Sequence, residues 1–180
     1  MNLFSRTSIF LLAILLIHLN AFAQSNEKAI SIIRERYATI NKELKSYKRI
    51  EKNLLGFSAQ GGSFEAFLTK DGQLRKINVI HYGEMGKAKS DYYYWDNSLF
   101  FVLESLSSYD QPFGKVTQVE ENRYYLNNGK LIRWIDPKGV QQSLSNPEFL
   151  EVQKRLLKQE KLNQKILSSP GNEVNAEKTY

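Results

Sequence analysis

Cysteine is absent from the whole chain, and that one absence removes several kinds of chemistry. It excludes disulfides, a thiol nucleophile, a Cys-containing zinc site and the acylated cysteine that anchors a bacterial lipoprotein. Histidine is almost as scarce, with only His18 and His81 in 180 residues. His18 lies in a segment read below as removed, and a single remaining imidazole cannot build a multi-histidine metal site. Long apolar runs are missing too, apart from Ile9 to Ile17, which falls far short of the roughly 20 residues needed to cross a bilayer.

Catalytic signatures are equally thin. No Gly-x-Ser-x-Gly occurs, although serines and aspartates are plentiful enough to leave a Ser-His-Asp arrangement around His81 formally open. Gly61-Gly62-Ser63 precedes a strand and not a helix, so it has no helix N-terminus with which to cradle phosphate. Glu120-Glu121 sits on a predicted strand, where neighbouring side chains point to opposite faces and cannot share an acid/base site. Calcium-type Asp-x-Asn-x-Asn-Gly spacing is also lacking. The reading is therefore of a chain with no catalytic residue, no metal and no cofactor, and of His81 as an ordinary strand residue.

What is present begins with a targeting pattern. Arg6 supplies a positive start, Ile9 to Ile17 an apolar stretch, and Ala21-Phe22-Ala23 a small-x-small cleavage site before Gln24. Residues 1–23 are accordingly expected to be a cleaved signal peptide. Export to the periplasm or the medium follows, with no stable membrane anchor afterwards. The formal charge is +6, and loss of Arg6 leaves +5. Acidic residues are interleaved throughout, so this reads as a soluble basic surface and not a nucleic-acid site.

From Asn26 to about Asn53 the residues Ile30, Ile33, Tyr37, Ile40, Leu44 and Tyr47 step by three and four, which predicts one amphipathic helix. Three similar units follow, each with a turn former, a turn-permissive residue and then a Leu: Asp71-Gly72 with Leu74, Asp96-Asn97 with Leu99, and Asn128-Gly129 with Leu131. They predict three hairpins: Phe64–Thr69 with Leu74–Tyr82, the two halves of Tyr92–Leu103, and Val116–Leu126 with Leu131–Ile135. Gly83–Ser90 and Ser105–Lys115 read as connections between them. Whether the first and third turns have two residues, or three with Gly at a bulge, stays open. Ser145-Asn146-Pro147-Glu148 starts a C-terminal helix, either through a Ser145 to Glu148 capping box or through an Asn146 cap with Pro147 in the first turn. Phe149, Val152 and Leu156 dock its first half, and residues 168–180 read as a disordered tail. The expected whole is one α+β domain over residues 24–167, an N-terminal helix on an antiparallel meander of about six strands, with a C-terminal helix.

The aromatic excess is the one feature that points to a function. In Tyr92-Tyr93-Tyr94-Trp95, Tyr92 and Tyr94 face one side of the sheet and Tyr93 and Trp95 the other. The returning strand sets Leu99, Phe101 and Leu103 against Phe100 and Val102, and Tyr124 opposes Tyr125. A sheet covered by one helix shows polar residues on its open side, so rings on both faces mean either a second covering layer or a contact face. Tyr92, Tyr93, Tyr94, Trp95, Tyr124, Tyr125 and Trp134 are the candidate binding residues, for a periplasmic or envelope protein or a glycan. A hydrolase acting on envelope material, marked by a pocket joining His81 to carboxylates, and a purely structural envelope protein are the alternatives.

The segments Ile33-Arg34-Glu35-Arg36-Tyr37-Ala38-Thr39-Ile40-Asn41, Tyr92 to Val102 and Glu121 to Trp134, behind a leader ending Ala-Phe-Ala-Gln, resemble uncharacterised exported single-domain proteins of Bacteroidetes-type bacteria. The resemblance covers about residues 25 to 136. It implies an exported domain with structural motifs and transfers no catalytic residue.

Overall fold

In the computed structural model, which describes residues 26–179, an eight-stranded sheet lies between two helices on opposite faces. The targeting segment and its cleavage site lie outside the described residues. Helix α1 covers residues 26–43 and is followed by a short 3-10 turn, Leu44–Ser46. The strands are β1 (Lys48–Leu55), β2 (Gly62–Leu68), β3 (Leu74–Gly83), β4 (Gly86–Trp95), β5 (Ser98–Tyr109), β6 (Val116–Asn127) and β7 (Lys130–Ile135). Helix α2 (Glu148–Ser168) and β8 (Glu173–Asn175) complete the chain, before a last 3-10 turn at Ala176–Lys178. The order β7-β6-β5-β4-β3-β2-β1-β8 is a plain meander, antiparallel throughout except where β8 joins β1 in parallel.

The α+β class is as expected, but the sheet has eight strands where six were predicted. One extra strand comes from the second half of the predicted long helix. The helix stops at Glu43, whose carbonyl accepts from the Ser46 hydroxyl at 2.7 Å, and Tyr47 is already extended. Beyond it the period changes from 3.6 to two: Ile50 and Leu54 pack into the α2-side core, and Lys52 between them is buried. The Lys52 ammonium donates to the carbonyls of Ser169, the cap residue of α2, and of Gly171 in the turn beyond it, so it joins β1 to the chain that leaves the helix.

The second extra strand is β8, in the segment expected to be a disordered tail. Asn53 N–H donates to the Asn172 carbonyl at 2.7 Å and the Lys165 ammonium to the Thr179 carbonyl at 2.6 Å. Val174, Ala176 and Thr179 are buried. Backbone pairing and a few small anchors hold a segment whose composition looked too polar to fold.

The predicted connections are shorter than expected. The β3–β4 turn is only Glu84-Met85, because Gly83 pairs with Gly86, and β5 runs on to Tyr109. Asp96 and Asn97 (φ 48° and 59°) and Asn128 and Gly129 (φ 49° and 73°) form two-residue turns with both central residues left-handed. Lys70-Asp71-Gly72 is the three-residue form, with Gly72 at φ 83° and Thr69 paired to Gln73. Of the two possible starts of α2, the structure has Asn146 as the cap, its Oδ1 accepting from Glu148 N–H at 2.9 Å.

Each face has its own core. On the α2 side Leu54, Phe64, Ile77, Tyr92, Tyr94, Val102, Tyr124 and Leu126 pack with Phe149, Leu156 and Ile166, so α2 docks along both halves and not the first alone. On the α1 side Ile30, Ile33 and Ile40 meet Tyr93, Phe100, Phe101 and Tyr125. A bulge sets the allocation: Tyr93 pairs with Phe101 but Tyr94 with Leu99, so Phe100 is an extra residue. Strict alternation along β5 is therefore broken. Leu99 and Val102 join the α2-side core, and Phe100 and Phe101 both face α1.

Candidate ligand-contact surface

The seven nominated aromatics are split between the two cores. Tyr92, Tyr94 and Tyr124 are buried under α2, and Tyr93 and Tyr125 under α1. Trp95 and Trp134 are half-buried. Trp134 packs on Tyr124 with ring centroids 6.0 Å apart and donates from Nε1 to Asn122 Oδ1 at 2.8 Å. Trp95 lies between two guanidinium groups, Arg36 at 5.2 Å and Arg75 at 4.5 Å from its ring centre. Rings on both faces thus reflect two covering helices; some aromatic surface stays open at the margin of α1, and Tyr82 and Phe113 are exposed elsewhere.

At that margin Tyr37 of α1 lies 4.9 Å from the Tyr93 ring centre and 5.3 Å from that of Phe101, which in turn meets Tyr125 edge-on at 5.0 Å. The margin holds a cleft of about 200 Å³, floored by Ile33, Tyr37, Phe101, Leu103 and Tyr125, with Arg34 from α1 and Arg123 from β6 also in its wall. Arg123 is tied to Glu121 at 2.7 Å and is half-buried. Of the nominated residues only Tyr125 lines this cleft. Sequence reading missed Arg34, Tyr37, Phe101, Leu103 and Arg123 as a group. Tyr37 and Ile33 were on the helical stripe, but nothing in the sequence says that Arg123 would meet Arg34 across it.

Next to the cleft floor lies a buried polar chain. The Lys76 ammonium contacts Asp91 Oδ1 at 3.0 Å and donates to the Tyr93 hydroxyl at 3.0 Å, while Asn78 donates to the same Asp91 oxygen at 2.8 Å. Tyr93 donates on to Asn41 Oδ1 at 3.2 Å, and Asn41 Nδ2 donates to the Tyr37 carbonyl at 2.9 Å. The chain ties the C-terminal half of α1 to the middle of the sheet and fixes Tyr37. Burial pushes the Tyr93 hydroxyl pKa far above its ordinary value, so the group stays protonated and remains a donor. On the other face Arg155 grips both Glu104 oxygens at 2.6 and 2.9 Å and donates to the Tyr124 hydroxyl at 3.2 Å. Glu104, which accepts hydrogen bonds from it, holds the guanidinium charged.

His81 lies apart from all of this. It stacks on Phe57 with ring centroids 6.4 Å apart, and the cleft it lines contains Ser58, Ser107 and Ser108 but no carboxylate. Burial lowers its pKa. The folded state therefore favours the neutral ring, and its contribution to stability is complete above the unfolded value of about 6.5 and lost as pH falls from there toward the folded one. The melting temperature is expected to drop more steeply below about pH 6.5 in the native chain than in His81→Gln. At neutral pH that substitution costs at most about 1 to 2 kcal/mol. Identical pH profiles for the two proteins would contradict the assignment.

Among the described residues, no three His, Asp or Glu side chains gather as a metal site, and no helix is long and apolar enough to cross a membrane. Comparison with protein-family models, curated proteins and solved structures returned no match.

Proposed function

We propose that the chain is an exported, non-catalytic binding module, periplasmic or secreted, that contacts a protein or envelope component at the α1 margin. The observation that carries this reading is the cleft between α1 and the sheet, apolar and aromatic at its floor and walled by two arginines. Its 200 Å³ is below the roughly 300 to 1,000 Å³ of ordinary small-molecule sites, which suits one inserted side chain or ring. The guanidinium groups of Arg34 and Arg123 suit an acidic group beside that insert, because a planar guanidinium matches a carboxylate or phosphate two-pronged. Tyr37 and Tyr125 give the floor area at low entropic cost. The hydrolase alternative has less support, since His81 has no carboxylate beside it in its cleft.

Short peptides ending in Phe or Leu with a free carboxylate serve as probes, followed by tyrosine fluorescence or NMR shifts of Tyr37 and Tyr125. Binding is expected for the free acids and at least tenfold weaker for their C-terminal amides, about the effect of one lost charged hydrogen bond. Arg34→Gln with Arg123→Gln is expected to weaken the acids likewise while stability moves by about half a kcal/mol or less. Equal binding of acid and amide, or no shift at either tyrosine, would overturn this site.

A further inference from the structure

Helix α1 has a second cleft on its other flank, at the end of the sheet where the β4–β5 and β6–β7 turns lie. It measures about 330 Å³ and shares only Ile33 with the cleft walled by Arg34 and Arg123. That volume falls within the roughly 300 to 1,000 Å³ of ordinary ligand sites. Cations line it and no carboxylate does: Lys28 and Arg36 both come from α1. The acid beside Lys28 in the chain, Glu27, is already paired with Arg133. Lys28 is exposed and has no ion pair among the described residues. Arg36 rests over the Trp95 ring, 5.2 Å from its centre, and a guanidinium already held by a ring has less freedom to lose when it takes a carboxylate.

Between the two charges the cleft is apolar. Ile32 is 38% exposed there, and Phe100 lines it from the sheet. Asn127 and Asn128 form part of the facing rim. Their side chains make no hydrogen bond among the described residues, which leaves two amides for the backbone of a bound chain.

The spacing selects the ligand. Lys28, Ile32 and Arg36 follow one another at intervals of four residues, so they form one stripe, and its ends stand about 12 Å apart along the axis at 1.5 Å per residue. In an extended peptide, residues i, i+2 and i+4 share a face, and i to i+4 spans about 13 Å at 3.3 Å per residue. Acidic groups at i and i+4 therefore match the two cations, and an apolar side chain at i+2 falls on Ile32. We infer that this flank of α1 binds an extended segment of a partner protein with the pattern acidic-x-apolar-x-acidic, lying along the helix. The inference does not rest on the reading of the other cleft.

The probe is the pentapeptide Glu-Ser-Leu-Ser-Glu, acetylated and amidated so that it brings no terminal carboxylate to Arg34 and Arg123. Titrated at low salt, it is followed by NMR of the two indole N–H signals, one from each tryptophan of the chain. The Trp95 signal is expected to shift and that of Trp134 to stay. The isomer Ser-Glu-Leu-Glu-Ser turns its acids to the face opposite the leucine and is expected to bind at least tenfold more weakly. Replacing either Glu of the probe by Gln is expected to cost about tenfold, near the effect of one lost charged hydrogen bond. Lys28→Gln is expected to weaken the probe by a similar factor with an unchanged melting temperature. In that variant one of the two Gln replacements should cost nothing further while the other keeps its effect, because each cation faces one acid. Arg34→Gln with Arg123→Gln is expected to leave this binding unaltered. Equal binding of probe and isomer, a still Trp95 signal, or full binding by Lys28→Gln would overturn the inference, as would loss of binding in the Arg34 and Arg123 variant.

Discussion

Replacing Tyr92 and Tyr94 together by alanine is expected to leave no folded protein, and replacing Tyr93 with Trp95 is expected to come close to the same result. Tyr92 and Tyr94 are 2% and 0% exposed beneath α2. Truncating one buried aromatic costs about 3 to 5 kcal/mol, so the pair removes an amount comparable to the whole stability of an ordinary domain, about 5 to 15 kcal/mol. Tyr93 is 1% exposed beneath α1, and its loss also takes the hydroxyl that joins Lys76 to Asn41. Trp95 adds less. It is half-buried, and what its removal forfeits is chiefly the contact with Arg36 and Arg75, worth about 0.5 to 1 kcal/mol for each exposed cation over a ring. Circular dichroism and urea denaturation decide the matter. A sheet covered on one side would tolerate one of the two double variants, so a Tyr93/Trp95 variant with a native urea midpoint would mean that α1 does not cover that face.

The turns were the most legible part of the chain, because their chemistry is local. Asp96-Asn97, Asn128-Gly129 and Gly72 each occupy left-handed backbone where the sequence put a turn, and the stripe Ile30, Ile33, Tyr37 and Ile40 is the packed face of α1. Reading failed where the local pattern stayed ambiguous and a distant partner decided. Leu44 and Tyr47 continue the helical spacing by coincidence, and Lys52 looks like a solvent-facing residue until the chain that leaves α2 brings it two carbonyls. The Phe100 bulge is a register event between β4 and β5, and no single strand carries its signature. At the candidate site the same division holds. The aromatic floor was visible as composition, while the meeting of Arg34 with Arg123 depends on how α1 crosses the sheet.

The other large effect is expected at Asp91. Its side chain is 5% exposed and that of its partner Lys76 is 9% exposed, so both charges are out of water. The cost of desolvation is met only while each has the other and the Asn78 and Tyr93 bonds are in place. Asp91→Ala removes the carboxylate that Lys76 touches among the described residues and leaves a buried ammonium beside the neutral hydroxyl and ring of Tyr93. Breaking a buried pair in this way costs about 3 to 5 kcal/mol. Exchanging both partners for apolar groups removes the unpaired charge as well. Lys76→Met with Asp91→Leu is therefore expected to be more stable than Asp91→Ala alone, even though Asn78 loses its acceptor, which by itself costs about 1 to 3 kcal/mol. Lys89 does not rescue the single variant, since it is itself a cation and its 3.2 Å contact is to the same lost carboxylate. The comparison is a double-mutant cycle in urea at neutral pH, with Asp91→Leu and Lys76→Met as its single-variant corners. The two substitutions are expected to couple by at least about 1 kcal/mol in the favourable sense. Additive effects would mean that Lys76 and Asp91 are each solvated independently and that this chain does not anchor α1 to the sheet.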